Sequence, residues 1–548
     1  MQLKKKITRV MGLIEKHGWL GLIVKAEEKS TEPVNLKYRE QYQHFLPTEE
    51  ELEKERETAF SYLPKISVVV PTYMTPKKFL EELIESVMAQ TYPNWELCIA
   101  DGSLDDAVKV IVQSYMERDE RICYEKLADN TGISGNTNAG FAMASGEYIG
   151  LLDHDDLLTA NALFEVVKSL NQFVYEEQSD EKRLVVSEDM PQLFYSDEDK
   201  VSAEEEGYFE PHFKPDYNEE LLHHYNYICH FVVFRKTLLE KAGFLDGTYD
   251  GAQDYDFVLR CTEVLPPEQI YHIPKILYHW RVHEASTAAT SASKDYAYEA
   301  AKRAVAAHLK RMGTSAQVET AKGREYIQVT YKLPNEESRI AMLQEADKLD
   351  EPYYIVKQAH GVRNPSKDWQ QKMKRYFSER EDAGVDNNRK IGMVGGKLIK
   401  GSHILSCGYT YDEKGNVFPL FRGQKVYHKG YYRRAVAAQD ISMVSLDFCM
   451  IDREAYQKVG GVDKTLPAPY RDLDFAFRLR EAGYRILIDP SIRAFSLGEE
   501  PLGEEEAKKA RQILRERWNP YLMEGDPYYN PNLAKGQETF RLKEEEHE

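Results

Sequence analysis

Short apolar runs alternate with stripes of helical period through the first third of the chain. ISVVVPTY (Ile66 to Tyr73) is an apolar run closed by Pro71 and predicts a strand. Behind it, Phe79, Leu83 and Val87 lie on one helical line and Leu80, Ile84 and Met88 on the next, which predicts an amphipathic helix. TYPNWELCIADGS supplies a second strand, Leu97 to Ala100, ending on Asp101 and Gly102. Strand, helix and strand within about 35 residues make a parallel βαβ unit, and open sheets of that kind bind ligands beyond the carboxyl ends of their strands. YIGLLDHDD (Tyr148 to Asp156) is another strand, and it delivers Asp153, Asp155 and Asp156 at its C-terminal end. Tyr73, Asp101 and Asp155 are therefore expected to converge on one crevice of an α/β fold.

Carboxylates gathered at a strand end have two readings. Paired acidic oxygens are hard ligands for Mg²⁺ or Mn²⁺, which take their remaining ligands from water and substrate phosphate, so Asp-x-Asp points to a diphosphate. The same cluster can merely cap the next helix, here ANALFEVV behind Thr159. Asp254 and Asp256 share that ambiguity at the start of DFVLRCTEV. Alone, His283 reads as an ordinary surface or satisfied histidine, and His230 in NYICHFVVF stays open between structure and function. SDEDK (Ser196 to Lys200) reads by composition as an acidic turn. GMVGGKL (Gly392 to Leu398) lacks Walker A spacing and the Ser or Thr after its Lys, which excludes a P-loop.

In order from Val68 to Thr287, the segments VVVPTY, SVMAQTYPNWELCIADGS, NTGISGNTNAGFAMASGEYIGLLDHDD, GAQDYDFVLR and YHWRVHEAST resemble the family 2 glycosyltransferases, which have the GT-A fold. The resemblance implies a mixed, mainly parallel sheet flanked by helices over residues 63–315. It implies that Pro71, Thr72 and Tyr73 line a nucleoside pocket, that Asp101 bonds the base, that Asn138 sits near the donor and that Asp153 faces the ribose or sugar. Asp155 would hold the metal together with His283, Arg281 would close over the diphosphate, and Asp254 would be the catalytic base. Gln253 stands where the family usually has Glu, and Ala100 where it commonly has a first Asp. These residue types suit the reaction, since a metal on Asp155 relieves charge on the leaving diphosphate while Asp254 takes the acceptor's proton. A single displacement of this kind inverts the anomeric centre.

The 548 residues have room for two or three domain cores, and 42% hydrophobic with 30% charged residues is ordinary for a soluble protein. A net charge of −19 argues against a nucleic-acid partner. The six cysteines show neither Cys-x-x-Cys nor zinc spacing and read as reduced, packed thiols. No apolar stretch approaches the roughly 20 residues that cross a bilayer, so a cytoplasmic protein is expected. QILRERW (Gln512 to Trp518) has the wrong spacing for the Gln-x-x-Arg-Trp of processive synthases, which favours a non-processive enzyme.

Residues 1–62 read as an N-terminal helical region. Leu3, Ile7, Val10 and Ile14 share a face beside Lys4, Lys5, Lys6 and Arg9, which suits peripheral contact with the inner face of an anionic membrane, packing on the transferase domain, or a homo-oligomer contact. EELEKERETAF predicts a second helix. From Lys390 to Phe495 the order KIGMVGGKLI, ISMVSLDFCMIDREAYQKVGGVD and RDLDFAFRLREAGYRILIDPSIRAF resembles the second half of another family 2 domain. Asp472 and Asp474 keep its base-like motif, yet YYIVKQAHGVRNPSKDW has no carboxylate where Asp153 or Asp155 would fall. Residues 316–548 are therefore expected to be a degenerate transferase-like α/β module that holds acceptor or mediates dimerisation. The expected function is inverting, metal-dependent transfer of one sugar, from a UDP- or dTDP-sugar, to a growing bacterial surface glycan on a lipid carrier. A protein acceptor and a non-catalytic glycan-binding scaffold are the alternatives.

Overall fold

The structure is a computed structural model that describes residues 33–176, 184–202, 207–283, 291–321, 326–333, 339–343, 353–377, 390–498, 502–536 and 539–543. The expected helix through Leu3 to Ile14, and Glu284 to Thr287 of the last motif, lie outside the described residues. The acidic helix is Glu49–Glu57; Thr48 and Glu51 close a reciprocal capping box at its start.

The first sheet is built from β1 (Ile66–Thr72), β2 (Trp95–Asp101), β3 (Ile122–Lys126), β4 (Tyr148–Leu151) and β5 (Leu157–Leu158), then, past a small hairpin of β6 (Val174–Glu176) and β7 (Leu184–Val186), from β8 (Leu193–Ser202), β9 (Tyr208–His212), β10 (Val233–Arg235) and β11 (Ile270–Val282). Its order is β3-β2-β1-β4-β10-β8-β11-β5, with β9 alongside β8. The first four strands of that order are mutually parallel, β10 runs against both its neighbours, and β8 and β11 are parallel. Every residue of β1 and β2 is buried, because helices cover both faces. Lys77–Met88 covers one face with Leu80, Leu83, Ile84 and Val87. Gly132–Met143 lies so close on the other that a Cβ at Gly140 would meet Val69 Cγ1 at 2.5 Å.

SDEDK is not an acidic turn. It is the middle of β8, flanked by β10 and β11, and Asp197, Glu198 and Asp199 are all buried. The sequence reading failed because composition stood in for pairing: each carboxylate meets a partner brought from elsewhere in the chain. Asp197 Oδ1 lies 3.0 Å from His272 Nε2, Asp199 Oδ1 2.5 Å from His279 Nδ1, and Glu198 Oε2 3.2 Å from Lys214 Nζ. Buried charges persist only when paired in this way.

A hairpin of β12 (Ala316–Thr320) and β13 (Ile327–Tyr331) leads to the second sheet. This contains β14 (Arg339–Met342), β15 (Tyr353–Gln358), β16 (Val362–Arg363), β17 (Ile391–Lys400) and β18 (His403–Ser406), then, beyond a ribbon of β19 (Tyr409–Tyr411) and β20 (Val417–Pro419), β21 (Gln439–Asp440), β22 (Phe448–Asp452) and β23 (Arg485–Ser496). Its order, β14-β15-β22-β17-β23-β16 with β18 on β17, repeats β1-β4-β10-β8-β11-β5 with β9 on β8, sense for sense. Residues 73–147 separate β1 from β4, whereas only 343–352 separate β14 from β15, so counterparts of β2 and β3 have no room. The segment rejected as a P-loop is a buried strand, β17.

The two sheets are joined by polar contacts. Asn218 and Asp440 exchange hydrogen bonds of 2.8 and 2.9 Å, and Arg485 Nε donates to Asp440 Oδ1 at 2.7 Å while its Nη1 reaches Glu219 at 3.0 Å. Near the C-terminus, Asn530 Nδ2 bonds both Asp197 oxygens, at 3.0 and 2.9 Å, and the Lys214 carbonyl at 2.9 Å.

Candidate active site

The crevice lies beyond the carboxyl ends of β1, β2 and β4, where a parallel sheet exposes its loops. A cavity of about 60 Å³ there is lined by Pro71, Asp153, Cys229, His230, Gln253 and Asp254 among others. β4 positions Asp153, the loop before β10 positions His230, and the first turn of the helix Gln253–Val264 positions Asp254. Asp254 is not the N-cap of that helix; Ala252 is. Asp254 Oδ2 accepts from Asn226 Nδ2 at 2.9 Å.

The second acidic position faces the end of β11. Asp155 Oδ2 lies 2.8 Å from His283 Nε2, and the Asp155 carbonyl accepts from Arg281 Nε at 2.6 Å. Arg281 is buried, with Glu82 at 2.7 Å and the Phe79 ring 4.6 Å from its guanidinium carbon. Asp156 is a different kind of carboxyl. It is fully buried, its Oδ2 accepts from Tyr278 Oη at 2.5 Å and its Oδ1 from the Arg281 amide at 2.7 Å. Burial, together with Asp155 and Asp153 alongside, pushes its pKa well up.

Two sets of atoms could hold a divalent cation. Asp153, Asp156 and His230 offer ligand atoms within 4.8 Å of one another, but Asp156 already has both oxygens engaged. Asp155 and His283 present an oxygen and a nitrogen 2.8 Å apart, close to the roughly 3 Å between neighbouring ligands of an octahedral ion with bonds near 2.1 Å. The donor set fits Mg²⁺ or Mn²⁺ better than a thiophilic metal, since Cys229 is the one thiol lining the cavity and burial pushes it up to about 11.

The end of the crevice at β1 and β2 is tightly organised. Tyr73 is 42% exposed at the mouth, while Thr72 is buried and donates to Asp101 Oδ1 at 3.1 Å. Asp101 also accepts from the Ser103 amide, Tyr124 Oη and Lys126 Nζ at 2.9, 2.7 and 3.1 Å. Burial alone would raise its pKa, but those bonds hold it below the usual carboxylate range. The Asn138 amide is spent on Leu245, donating to its carbonyl at 2.9 Å and accepting from its N–H at 3.0 Å.

Sequence reasoning missed Glu198, Lys214 and Asn226. Lys214 is fully buried and donates to the carbonyls of Ile228, Cys229 and His230 at 3.2, 3.1 and 2.5 Å, which fixes the loop carrying His230. Glu198 accepts from the His230 amide at 2.5 Å. Burial by itself would raise Glu198, yet Lys214, His212 and His230 hold it well below the ordinary value. The available signal was the charged run following LFY with no Gly or Pro to break the strand.

An open, mainly parallel sheet with an acidic pair at a strand end defines a GT-A-like nucleotide-sugar fold. Residues 67–243 match the profile of glycosyl transferase family 2. An uncharacterized protein of Sinorhizobium fredii is 31% identical over 87% of this chain and 58% of its own length. An O-antigen biosynthesis protein of Myxococcus xanthus, RfbC, is 34% identical over 46% of this chain and 19% of its own. The chain thus spans little more than half of one of these relatives and about a fifth of the other. The crystal structure of S. aureus TarS 1-349 aligns at 16% identity and TM-score 0.34 over 45% of this chain and 65% of that one.

Proposed function

We propose that the chain transfers a single sugar from a nucleoside diphosphate sugar to a growing bacterial surface glycan, with inversion, and that the acceptor is lipid-linked. The observation that carries this reading is the meeting of Asp153, His230 and Asp254 in one cavity beside the Asp155–His283 pair. Relatives named for O-antigen and teichuronic acid biosynthesis, and for glucosyl transfer to an undecaprenol-linked glycan, support the acceptor class. No helix among the described residues is long and apolar enough to cross a membrane.

Asp254 takes the proton of the attacking hydroxyl as that oxygen bonds the anomeric carbon and the bond from carbon to the diphosphate oxygen breaks. Asn226 holds one Asp254 oxygen and leaves the other to face the acceptor. Tyr73 stacks on the base, and a base contact by Asp101 requires Tyr124 or Lys126 to yield its bond. Asp153 meets the ribose or sugar, and Arg281 stands behind Asp155 at the diphosphate end. Asp155 and His283 would hold Mn²⁺ or Mg²⁺, which neutralises charge on the departing diphosphate when bound.

The test is nucleoside diphosphate release from UDP-, dTDP- and GDP-sugars with Mn²⁺, Mg²⁺ or EDTA, for wild type and Asp155→Ala. Turnover of one donor, dependent on metal and lost in the variant, is expected. Absence of both turnover and calorimetric nucleotide binding would overturn the reading.

A further inference from the structure

Between the two sheets lies a second, larger groove of about 660 Å³, within the range of small-ligand sites. The first module contributes the loop after β9 and the start of β11; the second contributes β23 and the end of the helix Glu504–Glu524 with the segment after it. Its lining is unusual for this chain. Six of its 24 residues are tyrosines, against 36 in 548 overall, while branched aliphatics are limited to Ile270, Ile441 and Ile486. Such a lining does not suit a lipid or another apolar ligand.

The charges are equally informative. Four carboxylates face four Lys or Arg side chains, a balance that suits neither a nucleic acid nor a polyanion. Arg485 is committed to Asp440 and Glu219, and Lys214 to Glu198. Arg480 differs: it donates to Tyr411 Oη at 3.2 Å and Ser442 Oγ at 3.5 Å, and no carboxylate among the described residues lies in ion-pair range of it. By contrast Arg260, Arg471 and Arg478 each pair with an aspartate. Arg480 also rests over the rings of Phe477 and Tyr521, at 5.9 and 5.5 Å, so its guanidinium is oriented with donor capacity left over.

Tyrosine side chains with interspersed acids such as the exposed Glu268, and one under-used guanidinium, match a polyhydroxylated ring compound: aromatic carbon suits its C–H surface, while carboxylates accept from its hydroxyls and Arg480 donates to them. We infer that this groove binds an oligosaccharide, a second glycan site separate from the transfer cavity. Calling that glycan the acceptor rests on the transferase reading; the binding itself does not. The groove floor includes Lys214 and its neighbour Asp216, and the Lys214 side chain ends on the carbonyls of residues 228–230, so one residue links the groove to the transfer site.

The test is binding of the full chain to an array of purified bacterial oligosaccharides without donor. Wild type and Asp254→Asn are expected to bind the same glycans. Arg480→Gln is expected to weaken binding at least about tenfold, as loss of a charged hydrogen bond does. Glu268→Trp obstructs the groove from an exposed position, keeps the fold, and is expected to weaken binding equally, with an unchanged melting temperature. Overturning results are no binding by wild type, or binding that survives both groove variants. Loss of nucleotide binding with glycan binding intact would remove the transferase reading and leave this one standing.

Discussion

The two sheets share a strand order and differ in what stands at the ends of their strands. Both contain the same clamp: Asp256 pairs with Arg260 and Asp474 with Arg478 one turn later, and each arginine reaches back to carbonyls flanking a left-handed glycine, Gly243 or Gly460. Two residues earlier in each helix sits a further aspartate, and here they part. Asp254 is half-buried and bonded to Asn226, whereas Asp472 is buried beneath the Leu446 amide, at 3.0 Å, and Arg471, at 2.8 Å. At the end of β15 the chain reads Ala359-His360-Gly361 where β4 is followed by its acidic cluster. With the ends of β10 and β22 matched, Lys397, Leu398 and Ile399 occupy the places of Asp197, Glu198 and Asp199. The two modules share strand order and differ in the charged residues at the ends of their strands.

The largest separation should come from the two aspartates. Asp254→Asn is expected to lower kcat by about 10²–10⁴. Asp472→Asn is expected to leave kcat within about twofold and cost about 1–3 kcal/mol of stability; a reversed pattern in steady-state kinetics would place the reaction in the wrong module. The clamps should behave alike. Asp256→Ala and Asp474→Ala each take the carboxylate from a half-buried arginine, and urea unfolding should show losses of about 1–3 kcal/mol for both. A cost confined to one of them would break the structural equivalence.

A smaller effect concerns the charged ladder carried by β8. Burial lowers the affinity of His272 for a proton, but Asp197 and Asp216 outweigh it and push the pKa up to about 9. A histidine raised in the folded state contributes fully below its unfolded value and loses that contribution as pH rises through the folded one. The melting temperature should therefore fall between about pH 6.5 and pH 9, and His272→Gln should flatten that fall. Smallest of all, Asn138→Ala removes the reciprocal bonds to Leu245 and is expected to cost about 1–2 kcal/mol, seen as a modest shift in melting temperature.

Much of this arrangement was legible before any coordinates. Periodicity located β1, β2 and β4 and the helix Lys77–Met88, because covered strands and amphipathic helices write their burial directly into the residue order. The three segments singled out between Lys390 and Phe495 fall on β17, β22 and β23 of the second sheet. The β8 ladder was not legible, since a strand of buried charges is stable only through partners such as His272, His279 and Asn530, distant in sequence. Nor was Asn226 beside Asp254, for a single Asn in a loop carries no local pattern. The inter-sheet groove depends on the relative placement of two modules, which a one-dimensional reading does not contain.

Asn530 closing on Asp197 has a consequence for biosynthesis. A ribosome completes the first module's motifs more than two hundred residues before it delivers the side chain that gives this central carboxylate its last donors. During that interval the nascent domain has its topology but not its final polar core. Synthesis of Asn530, rather than completion of the first module's motifs, therefore marks when Asp197 acquires its full set of donors.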